Sequence, residues 1–469
     1  MDTKERGSFK GSLGFVLAAA GSAVGLGNIW RFPTLAAKDG GGLFLVVYIV
    51  LALSFGFALL TTEISIGRKT KQSPLTAYSN LMNKPNSLWG SLGILSCIVP
   101  FLILPYYCAI GGWVLKYFVV FLTGHGTDAA ADGYFGGFIS GPVEPVVYMA
   151  VFLIACAVII YMGVNKGIEN SSKILMPVLL VMVIGIAVFS LTLKHTDENG
   201  ITTTGIDGLK VYLVPSLEGV TVRSFFGVVM DALGQLFFSL SVAMGILITY
   251  GSYVPDNTNL IKSINQIEFF DTLVAFLAGV MIVPAVYVFM GTEGMASGPS
   301  LIFESLPRVF TSMGKAGNII GALFFAMVLF AALTSAVSIL EAVVSSIIDR
   351  FGISRRNATL MESGIALVIG VIVCFGYNLL DVTIPLPGGS EGTILDALDY
   401  ATNYILMPII AISTCILAGW VLKPDVITGE LTKNGERFAR KGLYVVMVKY
   451  VAPVFILFLM LVSQGIIKF

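Results

Sequence analysis

The sequence predicts an all-α, polytopic membrane protein, and three observations carry that prediction. Of its 469 residues 56% are hydrophobic and 12% charged, about half the charge of a typical soluble domain. Apolar stretches of the roughly 20 residues needed to cross a hydrocarbon core about 30 Å thick recur along almost the whole chain and leave no soluble domain of useful size. Lys and Arg also cluster in particular connections and are missing from others. The 28 basic residues are balanced by 28 acidic ones, and no basic stripe with interleaved aromatics marks a nucleic-acid surface. Cys97, Cys108, Cys156, Cys374 and Cys415 all fall inside apolar runs, which fits packing residues and implies no disulfide framework. The polar arm MDTKERGSFKGS precedes a long apolar run with no small-residue cleavage pattern, so no removable signal peptide is expected.

Taken in order, the apolar runs predict eleven spans near 12–37, 42–66, 90–122, 146–162, 172–192, 225–252, 268–291, 317–348, 359–376, 395–421 and 444–466. An odd count places the termini on opposite sides. With the N-terminus in the cytoplasm, Lys4, Arg6, Lys10, the Arg68/Lys69/Lys71 cluster, Arg350/Arg355/Arg356 and the loop from Lys423 to Lys441 lie inside. The outer loops 123–145 and 377–394 then contain no Lys or Arg. This is the positive-inside distribution, and it predicts a multi-pass protein of the plasma (inner) membrane with its C-terminus outside. The segment 293–316, interrupted by Pro299 and Pro307, reads as an external capping hairpin.

Two spans carry features that a plain membrane helix has no use for. Span 1 contains AAAGSAVGLGNIWRFP, with Gly21, Gly25 and Gly27 within seven residues, although glycine is costly inside a helix. Span 6 contains FFSLSVAMGILITYGS, where Ser239, Ser241 and Gly245 interrupt a similar run. Each opens a block of five spans, and interrupted segments at matching positions of two halves point to a transporter whose site lies at the bilayer midplane. Non-helical backbone survives in a membrane only when buried or lining a cavity, so its freed N–H and C=O groups can serve a ligand. Small residues also let helices pack closely; Asn28, Arg31 and Pro33 right after the first break favour the ligand reading over a packing seam. In span 8, Ala331, Thr334 and Ser335 share one helical face and offer the oxygen donors that a hard cation prefers.

At these residues the chain resembles the neurotransmitter:sodium symporter family. GSAVGLGNIWRFP followed by KDGGGLFLVVY, with FFSLS in span 6 and FAALTS in span 8, is most similar to its bacterial eleven-helix branch, typified by the leucine and multi-hydrophobic amino acid transporters. The resemblance covers essentially the whole chain. It implies one transmembrane domain over 1–469 with a leucine-transporter-type 5+5 inverted repeat. The first five helices would span 12–192, the second five 225–421, with an accessory helix at 444–466 and no twelfth span.

The same resemblance implies two sodium sites. The second would use carbonyls of Gly21 and Val24 with Ala331, Thr334 and Ser335; the first would use Ala23, Asn28, Ser239 and Asp271. The family's best-known bacterial member has asparagine at the last position. An intramembrane acid is costly and marks function by default. A fixed carboxylate beside sodium replaces the chloride that many animal relatives require, so chloride is not expected. Gly25 stands where amine-transporting relatives carry aspartate, so the substrate must bring its own carboxylate. That group would meet sodium, the amides around Ala23, Leu26 and Gly27, and Tyr107. The substrate ammonium would meet Ser22, Phe238, Ser241 and Ser335, and Ile103, Phe238, Met244 and Ile339 would select its side chain. Methionine adapts to varied partners, so large neutral substrates such as leucine or tryptophan are expected.

Arg31 and Asp399 match the outer gate, closed beneath by Tyr107 and Phe238. Arg6 and Asp349 match the inner gate, beside Phe9, Ser252, Tyr253 and Glu341. Gly167 and Pro177 of span 5 match a segment that unwinds to admit water. The function implied is sodium-coupled symport of neutral, hydrophobic L-amino acids by alternating access. Two sodium ions carried with a zwitterion make uptake electrogenic, at about 2.3 kcal/mol per charge across 100 mV. A sodium-independent or proton-coupled permease on the same fold, and an amino acid receptor that moves nothing, are the alternatives. An enzyme is disfavoured, because the only histidines, His125 and His195, fall in separate loops without a metal-spaced or nucleophile motif. The sequence leaves the oligomeric state open.

Overall fold

A computed structural model describes residues 7–83, 87–197, 200–216, 220–295, 298–387 and 391–467. In chain order the principal helices are α1 (Ser12–Ala23), α2 (Leu26–Lys38), α3 (Gly42–Thr70), α4 (Gly90–Leu122), α5 (Glu144–Tyr161), α6 (Val164–Leu191), α7 (Val222–Ser239), α8 (Ile246–Ser252), α9 (Leu260–Met290), α10 (Gly317–Phe351), α11 (Arg355–Phe375), α12 (Ile394–Val421) and α13 (Lys441–Ser463). Among the described residues nine helices are long and apolar enough to cross a membrane singly, and α1 with α2 forms a tenth crossing bent by 61°. The remaining span expected from the sequence, at 225–252, is split between α7 and α8 by six residues outside any helix.

Two spans begin about eight residues before their apolar runs. Span 7 starts at Leu260, where the Asn259 side chain accepts from the Lys262 amide at 2.9 Å and caps the helix. Span 5 starts at Val164 with a wide π turn. Hydropathy marks where the bilayer begins, whereas capping marks where the helix begins.

The innermost helix is α10, buried along most of its 35 residues. α5, α6, α11 and α13 turn apolar residues such as Ile154, Val181, Val368 and Val454 outward, which is the surface that lipid covers. One end of the bundle is fastened by charge. The Ser73 amide donates to Asp349 at 2.7 Å, joining the ends of α3 and α10. Fully buried Arg68 holds the short helix Pro424–Leu431 through Glu430 at 2.7 Å and reaches the Thr258 carbonyl at 2.8 Å. A buried guanidinium is tolerable only when its donors are satisfied in this way.

At the opposite end, strands β1 (Lys194–Thr196) and β2 (Thr202–Thr204) pair antiparallel, with Lys194 opposite Thr204. β2 leads into a helix, Gly205–Leu213, with a capping box between Thr204 and Asp207. Hydrogen bonds from Thr204 and then from Lys210 hold the Asp207 carboxyl down at about 2. Of the segment expected as a hairpin at 293–316, the structure describes a short helical turn at Thr292–Gly294, a left-handed Gly298 and a helical run from Leu301 through Ser312 followed by a single turn, while 296–297 lie outside the described residues. Pro307 lies inside this run, directly after the wide π turn Leu301–Ser305, and does not divide it.

Candidate functional site

Both interrupted spans open at the centre of the bundle. α1 stops at Ala23, and Gly25 is extended at φ −118°, ψ −165° before α2 begins. A β-carbon on Gly25 would lie 3.0 Å from Ser335 Oγ and 3.3 Å from the Tyr107 hydroxyl, so glycine is what lets α4 and α10 approach the break. Between α7 and α8 the chain turns through Ser241 (φ 53°), Ala243 (φ 62°) and Gly245 (φ 71°). Two of these are left-handed non-glycine residues, a conformation that costs about 1–2 kcal/mol each and persists only where the surroundings impose it.

The surroundings here are polar atoms deep in the bundle. The Ala243 amide donates to Glu63 Oε1 at 2.6 Å, and the Gly27 carbonyl accepts from Gln235 Nε2 at 3.1 Å. The freed Ser22 carbonyl accepts from both Ser241 and Ser335, each at 3.1 Å.

The residues expected to hold the first sodium converge on one carboxylate. Asp271 Oδ1 accepts from Asn28 Nδ2 at 2.9 Å and from Ser239 Oγ at 2.7 Å. The Ser239 hydroxyl also lies 3.1 Å from Asn28 Oδ1, and the Tyr48 hydroxyl lies 3.5 Å from Asp271 Oδ2. Asp271 is fully buried, turned into the bundle toward Asn28 and Ser239. Carboxylate, amide and hydroxyl oxygens gathered in this way suit a hard monovalent cation. Among the described residues no group of three His, Cys, Asp or Glu side chains is placed to hold a metal.

The second expected set lies between α1 and α10. Ser335 Oγ reaches toward the Gly21 carbonyl at 3.5 Å, and Thr334 donates to the Phe330 and Ala331 carbonyls at 3.0 Å each. Thr334 is in contact range of Gly21, whose β-carbon would fall 3.3 Å from Thr334 Cβ. Val24 and Ala331 are fully buried beside them.

A small cavity touches both sets. It is lined by Ser22, Ala23, Gly25, Leu26, Gly27, Asn28, Ile103, Tyr107, Phe238, Ser239, Ser241, Met244, Ser335 and Ile339, and it encloses about 30 Å³. These are all the expected substrate residues together with Asn28. The volume holds a water or so, too little for a larger molecule while Phe238 and Met244 stay where they are. The Tyr107 hydroxyl in the cavity wall is buried and has no protein hydrogen-bond partner, and none of the lining residues is charged.

The gates divide. Arg31 and Asp399 form no direct ion pair: Asp399 Oδ1 accepts from Tyr106 at 3.1 Å and Asn403 at 2.6 Å, and Arg31 lies against Gly234 of α7. Arg6 lies outside the described residues. Its expected partner Asp349 is at the same end of the bundle as Phe9, which donates its amide to the Tyr253 carbonyl at 3.1 Å and packs on Phe15, Tyr250 and Tyr253. Tyr253 and Arg355 both bond Glu341, at 2.5 Å and 2.6 Å, while Ser252 caps its own helix through the Thr249 carbonyl. Gly167 and Pro177 sit in continuous helix, with no unwinding between them. Gly167 is pressed against the Ile159 carbonyl, which excludes any side chain. Between them, Glu169 accepts from the Lys10 amide at 3.0 Å and from Lys173 at 2.6 Å, clasping the N-terminal arm to α6.

Sequence reasoning gave no role to Glu169, Gln235, Tyr48 or Arg355, and none to Glu63 in bracing the second break. An acid at position 63 inside an apolar run was the one signal that could have found such a brace.

Comparison with known proteins places this architecture. The model of the sodium:neurotransmitter symporter family matches residues 6–127 and 139–469. The chain is 32% identical over 465 residues to an uncharacterized sodium-dependent transporter of Bacillus subtilis, covering 97% of both. It is 26% identical over 470 residues to the human sodium- and chloride-dependent GABA transporter 2, covering 89% of this chain and 73% of that protein. The crystal structure of MhsT in complex with L-phenylalanine superposes with a TM-score of 0.84 at 34% identity, covering 98% of this chain and 100% of the other. The fold is therefore of the leucine-transporter type.

Proposed function

The chain belongs to the sodium:neurotransmitter symporter family, and we propose that it imports neutral, hydrophobic L-amino acids together with two sodium ions, without chloride. Sodium-coupled transport across a membrane, and not catalysis, is what this family performs. The observation that carries the finer reading is the character of the cavity wall: no acid faces it, Gly25 leaves room at its head, and the buried Tyr107 hydroxyl lacks a partner. An amine without a carboxylate would find no counter-charge there. An amino acid supplies its own anion, which Tyr107 and a sodium ion beside Asn28, Ser239 and Asp271 can hold. Its ammonium faces the carbonyl and hydroxyl groups of Ser22, Ser241 and Ser335. Ile103, Phe238, Met244 and Ile339 then take an apolar side chain, in keeping with the phenylalanine bound by MhsT.

The Asp271 carboxylate supplies the fixed negative charge for which other members use chloride. Coupling follows because sodium shifts the equilibrium only toward the state it binds better, here the one open to the N-terminal ends of α3 and α10. With the basic end of the bundle in the cytoplasm, that opening faces outside and the membrane potential drives uptake.

Uptake of labelled leucine, tryptophan and phenylalanine into proteoliposomes tests the reading. It is expected to require an inward sodium gradient, to rise with a negative interior potential and to persist when gluconate replaces chloride. Gly25→Asp, which puts a carboxylate where the substrate's own must lie, is expected to abolish it. Undiminished uptake with choline in place of sodium would favour the permease alternative, and a chloride requirement would remove the role given to Asp271.

A further inference from the structure

Away from the ion and substrate site, α5 and α11 separate enough to leave a groove of about 360 Å³ on the outer surface of the bundle, within the range of ligand pockets. Its walls are apolar, formed by Leu153, Ile154 and Val158 of α5 and Leu360 and Leu367 of α11. Ile154, Val158 and Leu360 are each more than half exposed, so the groove opens sideways toward the hydrocarbon core and not toward water. Its floor is Gly364, and a β-carbon added there meets nothing within 4 Å.

One end of the groove is polar. Tyr161 closes it, and the Arg356 guanidinium lies over that ring at 5.2 Å. Among the described residues Arg356 has no acidic partner, unlike Arg68, Arg355 and Arg440, each of which is bound to a glutamate. Ser363 Oγ, in the groove wall, is buried without a hydrogen-bond partner. Arg356 at one end and Ser363 within the wall thus give the groove an unneutralised cation and an unpartnered hydroxyl beside its apolar surfaces. A phospholipid carries the matching three parts, as phosphate, ester and acyl chain.

Arg356 also stands at the end of the bundle that carries Arg68 and Arg355, where anionic headgroups of the facing leaflet attract juxtamembrane cations. We infer that the groove between α5 and α11 binds one anionic phospholipid, with its phosphate on Arg356 and one acyl chain laid over Gly364.

Native mass spectrometry of the detergent-purified protein, titrated with phosphatidylglycerol and with phosphatidylcholine of the same chains, tests this. Wild type is expected to hold one phosphatidylglycerol at least tenfold more tightly than phosphatidylcholine. Arg356→Gln is expected to lose that preference while still binding lipid. Gly364→Leu, which fills open space with a better helix former, is expected to lose the tightly held molecule of either kind. The inference is overturned if Gly364→Leu binds lipid as wild type does or if Arg356→Gln keeps the tenfold preference. It is equally overturned if the wild type proves to be a dimer that Gly364→Leu dissociates, since the groove would then belong to a second copy of the chain.

Discussion

Asp271 is a fully buried carboxylate in a membrane span, where an acid is costly unless it has partners, and three side chains lean on it: Asn28, Ser239 and Tyr48. In the sodium site proposed above, the ion beside it supplies the charge that these neutral donors lack. Asp271→Asn keeps the shape and removes the charge, so the sodium concentration for half-maximal substrate binding is expected to rise about tenfold, or ~1.4 kcal/mol; an unchanged sodium titration would show that the carboxylate holds no ion. Asp39, between α2 and α3, poses a different electrostatic problem. Its side chain is only 8% exposed and lies 3.9 Å from Lys38, which is itself paired with Asp231 at 2.9 Å. Burial, and then the negative charge of Asp231, push its carboxyl up to about 7, against about 3.9 in an unfolded chain. The folded state therefore binds more protons between these values, and this contribution to stability is lost as pH rises toward and through 7. Melting temperatures measured from pH 5 to 8 are expected to fall more steeply for wild type than for Asp39→Asn, and parallel profiles would contradict the assignment. Asp271 was legible in the sequence because an acid inside an apolar run stands out and the family resemblance points to its position. The bracing role of Glu63 was not, because its partner is a backbone amide 180 residues away that carries no side-chain signature.

The helices matter to this account where they stop. Gly25 and Gly27 announce the break in α1–α2, and Phe238 packs so closely on Gly27 that a β-carbon there would come within 2.7 Å of its ring. The break between α7 and α8 was visible only as a run of serines and one glycine. That Ser241 and Ala243 take left-handed backbone could not be read, since neither is a residue type that seeks it. The geometry is imposed by Glu63 gripping the Ala243 amide and by Ser241 gripping the Ser22 carbonyl. Ala243→Gly is accordingly expected to keep substrate affinity. Ala243→Val, a branched side chain in a conformation it strongly resists, is expected to lower the melting temperature and weaken binding at least tenfold. Circular dichroism melts and binding isotherms of the two variants check this, and a valine variant equal to wild type would mean that the break is not rigidly held. The helical run from Leu301 through Ser312 was hard to place for a related reason: Pro307 looks in sequence like a helix breaker, yet the helix continues through it.

At the scale of the molecule the two ends differ. The basic end is closed by Phe9 on Tyr250 and Tyr253, by Arg355 on Glu341 and by Arg68 on Glu430, whereas at the other end Arg31 and Asp399 stand without a direct bond between them. The presence of long apolar helices and the basic cluster were legible, because each rests on local composition, whereas the starts of spans 5 and 7 were not. The ion pairs joining distant segments were not, since residues 362 positions apart leave no local trace of their contact. We propose that Arg31 closing onto Asp399 traps the substrate; Asp399→Asn is then expected to slow uptake several-fold while leaving equilibrium binding near wild type, and equal losses in both would place Asp399 in the site itself. Everything at this scale depends on peptide groups freed by the two broken spans acting with α10 to bind sodium and amino acid as one unit. Equilibrium binding of labelled tryptophan to the purified protein, titrated with sodium at constant ionic strength in wild type and in Thr334→Ala, addresses that dependence directly. The account requires binding that climbs steeply with sodium in wild type and flattens in the variant; equal binding in choline, or a variant titrating like wild type, would contradict it.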